Sequence, residues 1–425
     1  MIHSDIKRSN NLKKNTVLVI NHFALNKGNH AVLRSIIGNL RNFDNNVRII
    51  VSSYDKELTA QRDEVEAISW PVDVLKIAET NSFFMLAIIG IVEILSSLMI
   101  LFLPSFSKKS KEIYSAYRQA DIVICPGGHL FTSMNPLISL WIYAISLLLA
   151  KKMNKKVIGL SQTVGPFNGV GGGLSKFISQ VAIKNMDIIY LRDESSEYFF
   201  KKLDLKNVTY DFAGEIVYSF NKFLKPKKEF FSEIKKHQIN IGITVHHLYY
   251  RYHMSRDEYI KIMSDFCNYL IKHVNDVNIV FIPMEYTTEG PKDRIIISEI
   301  LDCIHEKEAI EVLNKDLKPE QILSLMKQLD YFIGTKTHSI VMSLVSGTPT
   351  LSISYHEKSN YFMKEWGVEK YAINMKDLDA ESLYHLFEKL CQNNVEIRER
   401  LRESRVAMEK KSEKNFEVIY DCLSR

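Results

Sequence analysis

The sequence predicts an α/β protein of two Rossmann-like halves, each built on a parallel sheet. Short apolar runs alternate with helical patterns along almost the whole of the 425 residues, the signature of a parallel, doubly wound sheet. That length exceeds what a single hydrophobic core sustains, so two units are expected. A charged stretch from Lys222 to Lys236, carrying Pro226 and no sheet pattern, interrupts the alternation. The boundary is placed there, giving units of 1–220 and 237–425.

In the first unit, Val17 to Asn21 reads as a strand, and a helical pattern starts at His30 and runs to Leu40. Arg48 to Ser52 is a second strand and Val72 to Ile77 a third. Asp121 to Cys125 is a strand that runs into Pro126-Gly127-Gly128. A helix follows from Asn135-Pro136 to Ala150, then the strand Lys156 to Leu160 and the loop beginning at Ser161. Helices at Leu174 to Lys184 and Glu194 to Leu203 bracket the strand Asp187 to Leu191, and Val208 to Tyr210 closes the unit. In the second, strands are expected at Asn240 to Val245, Asn278 to Pro283, Tyr331 to Gly334 and Pro349 to Ser354. Helices are expected at Ser255 to Val274, Asp316 to Gln328, Thr337 to Ser346, Ser359 to Trp366 and Asp379 to Asn393. A long charged helix, Val395 to Leu423, ends the chain and is placed to pack back across both halves.

Hydrophobic residues at 46% and charged residues at 25% exclude a disordered chain. The net charge of +5 comes from scattered basic residues, so no nucleic-acid partner is expected. Cys125, Cys267, Cys303, Cys391 and Cys422 form no CxxC pair and no metal-ligand spacing, which fits reduced thiols in a cytoplasmic protein. The first 15 residues are polar and basic, without the apolar run of a signal peptide. Phe83 to Leu103 carries one charge, Glu93, and is followed by Lys108, Lys109 and Lys111. Its length would span a bilayer, but Glu93 near its middle is costly there. The lysines suit a peripheral contact with the inner face of the cytoplasmic membrane; a buried core helix or a homo-oligomer contact is the alternative.

In open α/β sheets, ligands lie beyond the carboxyl ends of the strands. The loops there hold Asn26, Gly28, Asn29, Gly127, Gly128, His129, Gln162, Arg192, Lys336, His338 and Lys358. The segment Gly334 to Pro349 carries the clearest chemistry. A strand ends at Gly334, and a helix begins around Ser339 whose free N–H groups make an anion site. Lys336 adds a positive charge, and His338 can exchange a proton near neutral pH. The competing reading makes His338 a helix cap and Lys336 solvated surface. Arg192 suits a phosphate or carboxylate, or else an ion pair with Asp193 or Glu194. His246, His247 and His253 lack a carboxylate or thiol at ligand spacing, so no metal is expected. The glycine-rich stretch Gly169 to Gly173 lacks a Walker lysine and reads as a flexible loop.

The stretches NHFALNKGNHAVL, CPGGHL, GLSQTVGPF, YLRDESS, Asp211-Phe212 and GTKTHSIVMSLVSGTPTLSISYHEK resemble, in content and order, the polysaccharide pyruvyl transferases of bacterial surface-glycan pathways. The resemblance implies a GT-B-like fold, two Rossmann-like domains facing across a cleft. It implies transfer of the enolpyruvyl part of phosphoenolpyruvate onto two hydroxyls of one sugar, with no other cofactor and no metal. It makes His338 the catalytic acid or base, and Arg192, Lys336, Ser339 and Lys358 the donor-binding set. Asn26, Gly28, Asn29, Gly127, Gly128, His129 and Gln162 would line the acceptor side, and a lipid-linked oligosaccharide or other sugar would be the acceptor. Lys336 stands where the family has arginine, and Asn29 where it often has aspartate. The rival readings are a nucleotide-sugar glycosyltransferase of the same architecture, suggested by the spacing of Glu357 and Glu365, and a non-catalytic assembly scaffold.

Overall fold

The computed structural model describes residues 15–72, 83–104, 106–223, 231–246, 254–285, 292–354 and 357–424, and of residues 83–89, 292, 357 and 358 the backbone alone. The first half runs β1 (Thr16–His22), α1 (Lys27–Phe43), β2 (Arg48–Ser53), α2 (Lys56–Asp63), β3 (Glu66–Ser69), α3 (Phe83–Phe102), α4 (Lys108–Gln119), β4 (Ile122–Cys125), β5 (Gly128–Phe131), α5 (Leu137–Lys152), β6 (Lys156–Val164), α6 (Gly172–Ile183), β7 (Ile188–Leu191), α7 (Glu194–Lys201) and β8 (Thr209–Phe212). A 3₁₀ segment, Ile216–Phe223, leads out of it. The second half runs β9 (Ile239–Ile243), α8 (Arg256–His273), β10 (Val277–Phe281), α9 (Lys292–Asp302), β11 (Ile310–Val312), α10 (Pro319–Met326), β12 (Tyr331–Gly334), α11 (Thr337–Ser346), β13 (Thr350–Ser354), α12 (Glu357–Glu365), β14 (Ala372–Asn374), α13 (Ala380–Gln392) and α14 (Asn394–Leu423).

Both sheets are parallel throughout. The first has the order β3-β2-β1-β4-β6-β7-β8, with β5 added beside β6, and the second the order β11-β10-β9-β12-β13-β14. Chain direction across each sheet therefore reverses at one place, between β1 and β4 in the first and between β9 and β12 in the second. Such a switch point leaves a crevice beyond the strand ends, because the loops on either side turn away to opposite faces. β1 shows why its sequence is apolar without interruption. Val17 and Val19 join one core and Leu18 and Ile20 the other, so helices cover both faces of the sheet.

The two halves share a continuous core. The 3₁₀ segment carries Tyr218, which meets Phe362 and Trp366 edge-on at centroid distances of 6.2 and 5.6 Å and donates to Glu365 at 2.7 Å. The helix α14 begins against the second sheet, where Arg398 donates to the carbonyl of Asp330, and ends on the first. There Asn415, fully buried, accepts from the Ser161 amide and hydroxyl at 2.9 and 3.0 Å and donates to the carbonyl of Gly214 at 2.9 Å.

Several boundaries differ from expectation. The helix expected from His30 starts at Lys27, because the Asn26 side chain caps it by accepting from the amides of Gly28 and Asn29 at 2.8 and 3.2 Å. The third strand is β3, not Val72 to Ile77; Val72 lies in a bend and 73–77 fall outside the described residues. Ser161, Gln162 and Thr163, expected in a loop, continue β6, since the interior reaches that far along the strand. Four short strands, β3, β5, β11 and β14, and the helices α2, α4 and α9 were not marked by periodicity alone.

Truncating Asn415 to alanine would strand the Ser161 amide in the interior, while the Gly214 carbonyl keeps the Ser161 hydroxyl. Urea unfolding should show a loss on the order of 2–4 kcal/mol. A change under about 0.5 kcal/mol would mean that the end of α14 does not hold the first half.

Candidate active site

The two switch points face each other. Across the gap, Asn26 pairs with Glu285 in an isolated antiparallel bridge, and the Lys27 amide reaches the carbonyl of Met284 at 3.4 Å. Between them the described residues enclose a pocket of about 260 Å³. Asn26, Gly28, Gly128, His129 and Arg192 line it from the first half; His246, Met284, Glu285, Lys336, Thr337, His338 and Ser339 line it from the second.

The first turns of α1 and α11 meet at this pocket. A Cβ on Gly28 would lie 2.4 Å from both Cγ and Nδ1 of His338, so only glycine lets the ring occupy its position. Gly128 has φ of 142°, a conformation that glycine alone adopts without strain, and this turns the chain from β4 into β5 at the pocket wall. Two helix amino ends border the cavity and their dipoles favour negative charge there, about half a unit each, although the first-turn amides of α1 already donate to Met284 and Asn26.

The side-chain charges are less simple than the loops suggest. Lys336 is buried, with Nζ 2.7 and 3.0 Å from the two oxygens of Asp293 and 3.1 Å from Glu285. Asp293 is itself buried and accepts from the amides of Met284 and Glu285 at 2.9 and 3.1 Å. Lys336 is therefore neither solvated surface nor an uncompensated cation. It bolts the turn before α11 to the end of β10. Arg192 is buried as well; its Nη1 lies 2.5 Å from Glu215, its Nη2 donates to Thr163 at 2.5 Å, and its carbonyl accepts from Tyr361 at 3.1 Å. Its Nε has no hydrogen-bond partner among the described residues. The ion pair is with Glu215, not with Asp193 or Glu194; Asp193 instead caps α7 through the Ser196 amide.

His338 is half-buried, and the desolvation of its ring holds the imidazole below the ordinary value of 6.5. Glu215 pulls the other way and Arg192 adds to the lowering. The ring is thus neutral at physiological pH, able to accept a proton. Ser339 is buried; its hydroxyl donates to the Lys336 carbonyl at 2.7 Å and lies 3.0 Å from Thr244, which shapes the turn under the pocket.

Of the residues expected at the site, Asn26, Gly28, Gly128, His129, Arg192, Lys336, His338 and Ser339 come together. Asn29, Gly127 and Gln162 are not on the pocket wall. Gln162 points inward and its Nε2 donates to the carbonyls of Cys125, Pro126 and Leu160 at 3.1, 2.7 and 3.1 Å, bracing the β4 turn from behind. The side chain of Lys358 lies outside the described residues. Sequence reasoning missed Glu215, Asp293 and Glu285, none of which sits in a strand-end motif. The one available signal was that buried cations require carboxylate partners. Among the described residues no group of three or more His, Cys, Asp or Glu is placed to hold a metal ion, and His247 and His253 lie outside them.

Comparison with known proteins bears on this arrangement. The profile of the polysaccharide pyruvyl transferase family matches residues 26–357, which contain every pocket residue. The amylovoran biosynthesis protein AmsJ of Erwinia amylovora is 26% identical over 109 residues, an alignment covering 26% of this chain and 26% of that one. Among solved structures, the MnaA–UDP complex from S. aureus is 10% identical, with a TM-score of 0.62 over 92% of this chain and 91% of that one. The Neisseria meningitidis UDP-GlcNAc 2-epimerase is 13% identical, with a TM-score of 0.60 over 96% and 99%. A glycosyltransferase from Rickettsia africae is 14% identical, with a TM-score of 0.57 over 96% and 99%. At such identities the likeness shows the fold, which is of the GT-B type.

Because desolvation of the half-buried His338 ring favours its neutral form, its NMR titration should fall below pH 6.5. A midpoint above that value would contradict the placement of the ring against Gly28.

Proposed function

The chain belongs to the polysaccharide pyruvyl transferase family and is a transferase; on that premise we propose that its pocket takes phosphoenolpyruvate as donor and builds a cyclic pyruvate ketal on a sugar. The observation that carries this reading is the meeting of α1 and α11 at Gly28 and His338, which sets two positive helix ends and a neutral imidazole around one small cavity. The donor is a small polyanion, and a cavity of about 260 Å³ suits it better than a drug-sized ligand, whose sites run to about 300–1,000 Å³.

The charge count alters how the donor is held. Lys336 is matched by Asp293 and Glu285, and Arg192 by Glu215, so these cations do not present a bare positive wall. The dipoles of α1 and α11 add to the attraction, α1 through its dipole alone because its first-turn amides already donate to Met284 and Asn26. Arg192 keeps a buried Nε–H without a partner among the described residues, which a donor oxygen reaches only if the guanidinium shifts. The buried ion pairs keep the turn before α11 and the end of β7 fixed, so that the helix ends stay aimed.

In the reaction, one sugar hydroxyl adds to C2 of the donor while C3 gains a proton. The second hydroxyl then displaces phosphate from C2, closing the ketal and releasing inorganic phosphate. A neutral His338 serves the steps in which a hydroxyl loses its proton. His129 and His246, the other imidazoles in the pocket, are available to supply the proton to C3. The acceptor is a sugar of a polysaccharide precursor. The glycosyltransferase reading loses support at Glu365, which holds Tyr218 at 2.7 Å and Lys411 at 3.0 Å and so tethers the two halves.

The test is phosphate release from phosphoenolpyruvate with sugar diols as acceptors. Release that depends on the acceptor is expected, and nucleotide release from a nucleotide sugar in its place would overturn the reading. The His338→Gln variant should lose roughly 10²–10⁴-fold in kcat, with its melting temperature nearly unchanged. The Gly28→Ala variant, which pushes the ring aside, should lose on the order of 100-fold in kcat, because small misplacement of a catalytic group is costly. Full activity in Gly28→Ala would remove the helix-end contact from the mechanism.

A further inference from the structure

We propose that the outer face formed by α3, α5 and α6 docks onto an anionic lipid bilayer. Along α3, Ile91, Val92, Leu95, Met99 and Phe102 are 37–67% exposed, and their spacing puts them on one stripe. The opposite side of the helix holds Glu93, Ser97 and Ile100, all buried. Trp141 of α5 donates to Ser97 at 3.0 Å and seats the helix. The stripe continues through Leu103 and Phe106, and on α6 through Leu174 and Phe177, 50% and 59% exposed. All three helices cover the same face of the first sheet, that of Leu18 and Ile20. Single exposed apolar residues are ordinary, but a run of them over neighbouring helices marks an interaction surface.

Charge selects the occupant. The segments 90–112 and 134–186, which contain this face, hold nine lysines against two glutamates, of which Glu93 is buried and Glu112 pairs with Lys56, in a chain whose total charge is only +5. Lys108, Lys111, Lys151, Lys152 and Lys176 are exposed there, and Lys152 Nζ stands 5.3 Å from the Phe102 ring centroid. A second copy of this chain stacked on the face would set lysines against lysines, with only Glu112, already paired with Lys56, to offset them. An anionic bilayer offers hydrocarbon to the stripe and phosphate to the lysines at once. Because α3 keeps Glu93, Ser97 and Ile100 buried against the protein, it meets the bilayer along its length, through the exposed stripe.

The face also lies beside the site. α5 begins just after β5, whose Gly128 and His129 line the pocket, and α3 runs alongside α5 in the same direction, since Ser97 meets Trp141 and Phe102 meets Lys152. Met134 and Leu137, at the pocket end of α5, are exposed as well. A lipid-carried acceptor would thus be presented near the pocket. That consequence rests on the pyruvyl-transfer reading, whereas the docking does not.

The experiment is flotation of the full chain with phosphatidylcholine vesicles with and without phosphatidylglycerol. Flotation is expected with the anionic vesicles only, weakening as salt rises. Combining Lys108→Glu, Lys111→Glu, Lys151→Glu and Lys152→Glu should weaken partitioning by about tenfold or more. Combining Leu95→Gln with Phe102→Gln should abolish it, with an unchanged melting temperature in both cases. Phosphate release with a water-soluble acceptor should be unchanged in these variants, which keeps a failure of docking separate from a failure of the reaction. The proposal is overturned by no flotation with anionic vesicles, by binding indifferent to both sets of substitutions, or by a dimer in solution that Leu95→Gln with Phe102→Gln dissociates.

Discussion

The arrangement depends on one close approach, the contact of the α1 backbone at Gly28 with the ring of His338. Each half, taken alone, has a switch point and a helix amino end beyond it. Only when the halves are packed so that a helix from one touches the His338 imidazole of the other do the two ends enclose a single cavity. The steric margin is narrow, since a Cβ at Gly28 would overlap the ring. The shared core around Tyr218 and the clamp of α14 across both sheets hold that margin, which links buried contacts far from the pocket to its geometry.

Burial determines the electrostatics of the pocket. Lys336 and Arg192 are largely shielded from water at the pocket wall, and a buried charge without a partner is costly enough that carboxylates must accompany it. Glu215, Asp293 and Glu285 meet that requirement, and the two cations consequently act as fixed struts. Among the described residues, the dipoles of α1 and α11 are then the positive features of the pocket wall that no carboxylate offsets. The same burial keeps His338 neutral, which decides in favour of proton acceptance over donation at the resting site.

Much of this was legible in the sequence. The run Val17 to Asn21, the strand ending at Gly334 and the helix after Lys336 are set by local apolar pattern and punctuation, and they sit where expected. Eight of the expected site residues line the pocket because strand ends in a doubly wound sheet converge by topology. Gln162 did not follow, because the interior extends along β6 and turns its amide onto the carbonyls behind the β4 turn. The partners of Lys336 and Arg192 were not legible. Their pairing spans 43 residues for Asp293 and 23 for Glu215, and only the tertiary fold brings them together. The apolar segment after Phe83 was legible as a helix, but not which of its sides would be exposed.

The central claim is that one donor site lies between the two helix amino ends. A crystal structure of the protein soaked with phosphoenolpyruvate tests it most directly. The account predicts the donor between Gly28 and His338, with its anionic groups at the first turns of α1 and α11 and C2 facing the imidazole. Donor bound elsewhere, by a protein that turns it over, would contradict the account.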